Sequence, residues 1–387
     1  MPDSTLELPS YGRIIRLIQR QMENKISTPF ELRLGSFTYH FGQGSPVLTF
    51  TVNDRNGLAA LCSFDELKFC EAYISGSLDV AGDFFHLAGF RAMLTDRHPL
   101  HYLLSRLLPF FIGQIKTNRK AISSHYEHDQ DFFLLFMDET RCYSQAVFER
   151  DDEELAGAQR RKLDYALQAC QLKPGDRLLD VGGGWGTLTE YAGRQGIEVT
   201  SLTISRQSEQ FLAELIQQRQ LPCQVHYQDF FEYAAAEPYD AIAILGVMEH
   251  LTDYPAVLRQ LLRLLKPGGR VYLDASAFRE KYSKSTFISR YIFPGNHAFF
   301  CLHDFLAEVD KTAFEVLAVH NDRHSYYLTC KAWAENLEAA REEVIHRWGE
   351  RLYRSFRIYL WGSAYSFANH GLEAFRVVLE RPPILSR

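Results

Sequence analysis

Residues 177–186 read RLLDVGGGWG, and this stretch decides the fold. Leu178, Leu179 and Val181 make a short apolar run without polar alternation, the pattern of a strand buried on both faces of a parallel sheet. The run stops at glycine. Gly182, Gly183, Gly184 and Gly186 permit a tight turn and a close backbone approach to a ligand before a helix begins near Thr187. Dinucleotide-binding and methyltransferase sheets share this spacing, and glycine-rich strand ends also occur as plain turns.

The next strand separates the two cofactors. A dinucleotide fold wants an acidic residue roughly 20 positions on, for the ribose. Here the second strand, Ile197–Ile204, ends with Thr203 and Ser205 and no carboxylate, while Asp180 stands before the glycines. An acid followed by GxGxG is the order in which S-adenosylmethionine enzymes hold the cofactor's amino acid and ribose. Asp180, Gly182, Gly184, Gly186 and Thr203 are therefore candidate cofactor contacts. In such sheets ligands bind outside the carboxyl ends of the strands. Asp229, after the third strand, suits an adenine amino group, although an Asp there also reads as a helix cap. Glu249-His250, after the fourth, stands where a substrate would meet the cofactor.

Outward from this stretch the βα alternation is regular. Strands are expected at Arg177–Val181, Ile197–Thr203, Cys223–Tyr227, Ala241–Leu245 and Arg270–Ala275, with helices at Thr187–Arg194, Gln207–Gln218 and Ala256–Leu265. This is an α/β, Rossmann-like, doubly wound sheet. An aromatic insertion, Phe278–Phe305, precedes two last candidate strands, Glu315–His320 and Ser325–Cys330, and a helical tail, Trp333–Leu379. Residues 1–115 differ in texture: β-forming clusters at Phe30–Phe37, Tyr39–Phe41 and Val47–Val52 predict a smaller α+β domain. Its helix Ser63–Ile74 should start at a capping box of Ser63 and Glu66, with a second helical segment running to Leu94. Leu103–Lys120 is the boundary to a second domain, 116–387. Its apolar Leu107, Leu108, Phe110, Phe111 and Ile112, followed by Lys116, Arg119 and Lys120, fit a loop pressed into a bilayer with anionic headgroups, and equally an inter-domain hinge.

Composition bounds the function. With 387 residues, 46% of them hydrophobic, the chain can bury a substantial core. A net charge of −6 argues against a nucleic-acid partner. No run nears the roughly 18 apolar residues of a spanning helix, and no signal peptide is evident, so a cytoplasmic location is expected. Seven cysteines without a CxxC pair read as reduced thiols, and neither they nor the 14 histidines suggest a metal site.

Several segments together carry a resemblance. Tyr143-Ser144-Gln145-Ala146, LKPGDRLLDVGGGWG, Leu202–Ser205 (LTIS), Met248–Leu251 (MEHL), Arg290–Gly295 (RYIFPG) and Tyr359–Leu379 resemble the cyclopropane fatty acid synthase family, which includes the mycolic acid cyclopropane synthases. EAYISGSLDVAGD resembles the N-terminal lipid-binding domain of longer bacterial members. The resemblance implies that Tyr143, Ser144, Gly182, Gly184, Thr203 and Asp229 touch S-adenosylmethionine, and that Glu249 and Tyr326 stand at the reacting carbon. It further implies an unsaturated phospholipid acyl chain as substrate, met peripherally at the inner face of the cell membrane. A homodimer is allowed; the sequence does not set the oligomeric state.

The chain also departs from the family, in which a cysteine, a histidine, a glutamate and a tyrosine surround a bicarbonate that serves as base. Gln145 replaces that cysteine, and Asp274 replaces that histidine. A carboxylate at 274 would repel bicarbonate and raise the pKa of one acid of an Asp274–Glu249 pair, so a carboxylate acting directly as base is expected. The reaction read from these residues is transfer of a one-carbon unit to a double bond, with a cyclopropane, methylene or methyl-branched product. Aromatic faces would stabilise the developing cation. The competing expectation is a lipid-binding protein that keeps the fold and has lost catalysis, or a methyltransferase for another small lipid-like substrate.

Overall fold

The first strands form where buried and outward side chains alternate. Phe30, Leu32 and Leu34 are buried along β1 (Phe30–Leu34). Gly35, at φ +58°, then turns the chain into β2 (Phe37–Phe41), so the Phe30–Phe37 run expected as one strand is the start of a hairpin. With β3 (Leu48–Val52) and β4 (Leu78–Gly82) these strands make a sheet of order β2-β1-β3-β4, antiparallel except where β1 lies beside β3. Its core takes in Ile18 of α1 (Tyr11–Met22), Ala60 of α2 (Arg55–Ser63), Phe69 of α3 (Glu66–Ser75), and Leu87 and Phe90 of a 3₁₀ segment at Phe84–Met93. α3 is capped by Asp65, whose Oδ1 accepts the Lys68 N–H at 2.9 Å. Ser63, expected as the cap, ends α2 instead and donates to the Ala60 carbonyl at 2.7 Å. The computed structural model describes residues 11–22, 28–96, 98, 130–283, 285–293 and 297–383. The Leu103–Lys120 stretch and the expected boundary at 115–116 lie outside the described residues.

The second sheet is built on the glycine-ended strand. After α4 (Gln130–Phe136) and α5 (Leu155–Ala169) come β5 (Arg177–Val181), α6 (Thr187–Gly193), β6 (Glu198–Thr203), α7 (Arg206–Arg219), β7 (Cys223–Tyr227), β8 (Tyr239–Leu245), α8 (Tyr254–Leu264) and β9 (Leu265–Ala277). The five strands run parallel in the order β9-β8-β5-β6-β7. Both faces are covered. α8 buries Val257, Leu258 and Leu261 with Ile242, Ile244 and Leu273, while α5 and α6 bury Leu163, Ala166 and Leu188 with Leu178, Val199 and Tyr272. The expected doubly wound architecture holds.

The C-terminal part differs from expectation in two places. After α9 (Leu302–Val309) and β10 (Glu315–Asn321), Ser325–Cys330 is helical, inside α10 (Arg323–Ala339). Thr329, Trp333 and Leu337 recur every four residues and are all buried, a helical period that the short window around Ser325 cuts off. α11 (Arg341–Trp348) and α12 (Glu350–Ala368) come next, and then the tail expected as helix becomes a strand, β11 (Glu373–Glu380). β11 lies antiparallel between β10 and β9. Buried Val377, Val378 and Leu379 suit a strand covered on both faces. Inside the fold, Arg376 on β11 meets Asp322 at the start of α10, Nε to Oδ2 at 2.5 Å and Nη2 to Oδ1 at 3.0 Å.

α12 also joins the two bodies. Ile358 and Trp361 pack on the N-terminal core, and Arg354 donates to the Tyr73 carbonyl at 2.8 Å. Phe287 and Ile292 of the aromatic insertion pack with Leu67, Cys70 and Ile74 of α3. Removing one member of the buried Arg376–Asp322 pair leaves an uncompensated charge. Arg376→Met should therefore cost about 3–5 kcal/mol of stability, read as a lowered urea midpoint, and Arg376→Met with Asp322→Leu should recover part of that loss. An unchanged midpoint in the single variant would contradict the assignment of β11 to the buried interior.

Candidate active site

The strand ends of the parallel sheet gather most of the residues singled out from sequence. The Gly182 and Gly183 N–H groups both donate to the Leu202 carbonyl, at 3.0 and 2.9 Å, which folds the turn over the end of β6. Gly182 has φ +86°, and a Cβ there would stand 2.5 Å from Val247 Cγ2. Gly184, at φ +50°, is open: only the Gly182 carbonyl oxygen, at 3.8 Å, comes near the place of a Cβ. That opening fits the close approach of a ligand to the backbone. At Gly186 (φ +76°) a Cβ would meet Leu215 Cδ2 at 2.5 Å, so this glycine lets α7 pack against the turn.

Asp180 supports the turn from inside. Its Oδ2 accepts from Ser201 Oγ at 3.1 Å and Thr189 Oγ1 at 3.4 Å. Burial, opposed by those two hydroxyls, pushes its carboxyl up to about 6. Thr203 accepts the Ser205 N–H at 3.1 Å, and Asp229 accepts the Phe231 N–H at 2.9 Å, so both side chains brace the backbone at their strand ends. Tyr143 packs edge-on to Phe133 and tilted against Trp333, ring centroids at 5.6 and 5.2 Å.

Glu249 is the most unusual group. It sits in a short 3₁₀ turn, Met248–His250, beyond β8 and is 5% exposed. Oε1 accepts both the N–H and the Oγ–H of Ser276, each at 2.7 Å. Oε2 is buried and has no hydrogen-bond partner among the described residues. Burial outweighs the Ser276 bonds and lifts the carboxyl to about 7, with a lesser contribution from the Asp274 charge.

The sequence expectation puts Asp274 and Gln145 at the reacting centre, with a carboxylate of the Asp274–Glu249 pair as base; both are fully buried, and neither lines the cavity that Glu249 faces. Asp274 Oδ1 accepts the Gly246 N–H at 2.8 Å, and Oδ2 lies 3.6 Å from the ammonium of Lys162, itself fully buried. Burial raises the Asp274 carboxyl, against Lys162, the Ser144 hydroxyl and the Gly246 N–H. Burial also opposes the Lys162 charge, but Cys142 and Asp274 outweigh it, and the ammonium holds its proton more tightly than usual. The physical reason is the pleat: Asp274 stands two residues, about 7 Å, before Ser276 on the same face of β9, so Ser276 reaches the cavity and Asp274 stays beneath it. Gln145 Nε2 donates to the Phe375 carbonyl at 3.3 Å, turning the amide toward β11.

The cavity has a volume of about 290 Å³ and is lined chiefly by apolar and aromatic side chains. Tyr143, Gly246, Glu249, Ser276 and Tyr326 line its sheet end. Tyr326, placed on α10, stacks on Phe367 at 4.4 Å between ring centroids. Phe69, Phe84, Leu87 and Ala88 of the N-terminal body line the other side, where Arg91 pairs with Glu66 at 3.1 Å. Gly182, Gly184, Thr203 and Asp229 lie at neighbouring strand ends, outside this lining. Cys301, His303 and Asp304 bring donor atoms within 4.8 Å of one another, with the last two exposed, and they too lie outside the lining.

Sequence reading misses Ser276 and Lys162. Lys162 has a signal. Ala158, Lys162 and Ala166 share one stripe of α5 at four-residue spacing, so a lysine falls among apolar positions that must be buried. Ser276 has only its place two residues beyond Asp274.

Comparison with known proteins places the chain's sequence and fold. The family described as Mycolic acid cyclopropane synthetase matches residues 114–377. A hydroxymycolate synthase of Mycobacterium tuberculosis is 30% identical over 71% of this chain and 96% of its own length. A probable fatty acid methyltransferase of the same organism is 28% identical over 67% of this chain, which spans 62% of that relative's length. Among solved structures, mycolic acid cyclopropane synthase CmaA1 complexed with SAH and CTAB superposes with a TM-score of 0.62 at 28% identity, covering 67% of this chain and 97% of that one.

The raised pKa of Glu249 carries a pH signature. Between its ordinary value of 4.5 and about 7 the folded protein keeps a proton that the unfolded chain releases. Its contribution to stability is therefore fully present below 4.5 and lost as pH rises through about 7. Glu249→Gln removes that titration. The variant's urea midpoint relative to the parent should climb across this window and then level off, whereas a pH-independent difference would contradict a buried, proton-holding Glu249.

Proposed function

The chain belongs to the mycolic acid cyclopropane synthetase family, and from that premise we propose that it is a methyltransferase that adds a one-carbon unit to the double bond of an unsaturated phospholipid acyl chain. The single observation that carries this reading is Glu249: a buried carboxylate with one bare oxygen, facing an aromatic cavity long enough to reach the N-terminal body. The opening at Gly184, the Thr203 and Asp229 strand ends, and Tyr143 with Ser144 fit S-adenosylmethionine and would hold it. When bound, S-adenosylmethionine supplies the electrophilic methyl group that an alkene takes up, leaving positive charge on the acyl chain.

The chain's own residues handle the rest. Tyr143, Tyr326, Phe293 and Phe299 line the cavity with aromatic rings, which would stabilise the cation and exclude water. Glu249 Oε2 accepts the proton the chain must lose, since it is the bare oxygen of a carboxylate whose pKa lies near neutrality. Ser276 keeps the other oxygen, and so the carboxylate plane, fixed. Loss of the proton from the added methyl closes a cyclopropane; loss from an adjacent carbon yields an alkene bearing the new carbon. Because Gln145 and Asp274 do not face this space, their substitution gives no ground for a reading in which catalysis has been lost.

The polar end of the lipid is read toward Arg91 and Glu66, with the acyl tail between the two bodies and the protein peripheral to the membrane. No helix among the described residues is long and apolar enough to cross a bilayer. Incubating the protein with S-adenosylmethionine and oleoyl phospholipid vesicles should add one methylene mass to the acyl chain. Glu249→Gln should abolish the gain while leaving affinity for S-adenosylhomocysteine nearly intact. Ala88→Trp, which fills the N-terminal side of the cavity, should cut transfer roughly tenfold, again with donor affinity kept. Full transfer by Ala88→Trp would remove the acyl chain from this cavity, and transfer by Glu249→Gln would remove Glu249 from the chemistry.

A further inference from the structure

Beneath the strand ends lies a polar node that the proposed reaction leaves unused. Lys162 donates to Ser144 Oγ at 2.7 Å and to Cys142 Sγ at 2.9 Å, and its ammonium forms an ion pair with Asp274 Oδ2 at 3.6 Å. Both ends of the ion pair are fully buried. Desolvating two charges is costly, and hydrogen bonds that use their remaining donors and acceptors are what make such a pair tolerable. Here those bonds reach three separate segments.

The first segment is 142–145. Gln159, three residues before Lys162 on α5, donates to the Ser144 carbonyl at 2.9 Å, so one helix holds Ser144 by hydroxyl and by backbone. The second is the end of β8, whose Gly246 N–H is taken by Asp274. Gly246 has φ +62°, and a Cβ there would stand 2.9 Å from Ser144 Cβ, so the first two segments touch with no room between them. The third is β9 itself, which carries Asp274 and, two residues on, the Ser276 that holds Glu249.

Resting on the reading of Tyr143 and Ser144 as methyl-donor contacts, we propose that Lys162 and Asp274 are positioning residues that set the methyl-donor site in register with the Glu249 end of the cavity. The ammonium fixes the Ser144 hydroxyl, and with it Tyr143, while the carboxylate fixes the turn that leads to Glu249. Asp274 thus acts through Lys162 and Gly246, and touches neither substrate nor donor.

Single substitutions would strand a buried charge, so the test removes the pair together. Lys162→Met with Asp274→Asn should fold, by circular dichroism and a cooperative melt, should bind S-adenosylhomocysteine about tenfold more weakly by calorimetry, and should also show a kcat at saturating donor lowered by about tenfold, because the bound donor is no longer held in register with Glu249. Adding Ser144→Ala in that background should weaken binding little further, although Ser144→Ala alone weakens it in the parent, because both act through one hydroxyl. Gln159→Leu leaves the ion pair whole and should weaken binding in the same direction if the paired variant does not fold. Parent-like affinity in the paired variant, full additivity with Ser144→Ala, or parent-like affinity in Gln159→Leu would overturn the proposal. If the parent protein itself does not bind S-adenosylhomocysteine, the donor-site reading falls first.

Discussion

Two donors from one serine hold a single oxygen of Glu249 and leave the other bare. The rest of the site supplies the conditions that arrangement needs. The carboxylate must stand beyond the end of β8, where a parallel sheet leaves its ligand crevice. Ser276 must reach it from β9, and it does so because β9 and β8 are neighbours in register, with Leu245 beside Asp274. Burial then does the chemical tuning. A solvent-exposed glutamate holding the same two bonds would be a stronger acid and a poorer proton acceptor at neutral pH.

The cavity beside Glu249 is closed in part from outside the parallel sheet. Helix α12 and the aromatic insertion clamp the N-terminal body over the strand ends through Ile358, Trp361, Phe287 and Ile292. Tyr291 donates to Glu71 at 2.8 Å and Arg290 pairs with the same carboxylate at 3.1 Å, so polar contacts accompany the apolar ones. The N-terminal body is thus a wall of the cavity as well as a neighbour of it, and its Phe84, Leu87 and Ala88 face the same space as Glu249. In the proposed function, an apolar chain entering that space would gain burial along its length.

The parts of this arrangement that are legible in the sequence are those governed by local pattern. The run Leu178–Val181 with its glycines, the βα alternation and the place of Glu249 at a strand end each reflect short-range periodicity and turn chemistry. Sequence and structure part where long-range packing overrides local preference. Ser325–Cys330 is β-like in composition but belongs to the four-residue stripe of α10, and Glu373–Glu380 becomes a strand because β9 and β10 leave a slot for it. Asp274 has a related cause behind it: sequence order places it near Glu249 at the sheet's end, and only the register of β9 and the lysine on the buried stripe of α5 reveal the ion pair that it makes.

That pairing bears on the proposed proton removal. With Asp274 paired to Lys162 and Gln145 turned to β11, neither lines the cavity, and in the proposed reaction Glu249 would accept the proton itself. The most direct measurement is methyl transfer to oleoyl phospholipid in carefully bicarbonate-depleted buffer, with and without added bicarbonate, and with the product identified by NMR. With Glu249 as the base, the rate is expected to be the same in both buffers. Strict dependence on added bicarbonate would contradict it and return the proton to an exogenous base.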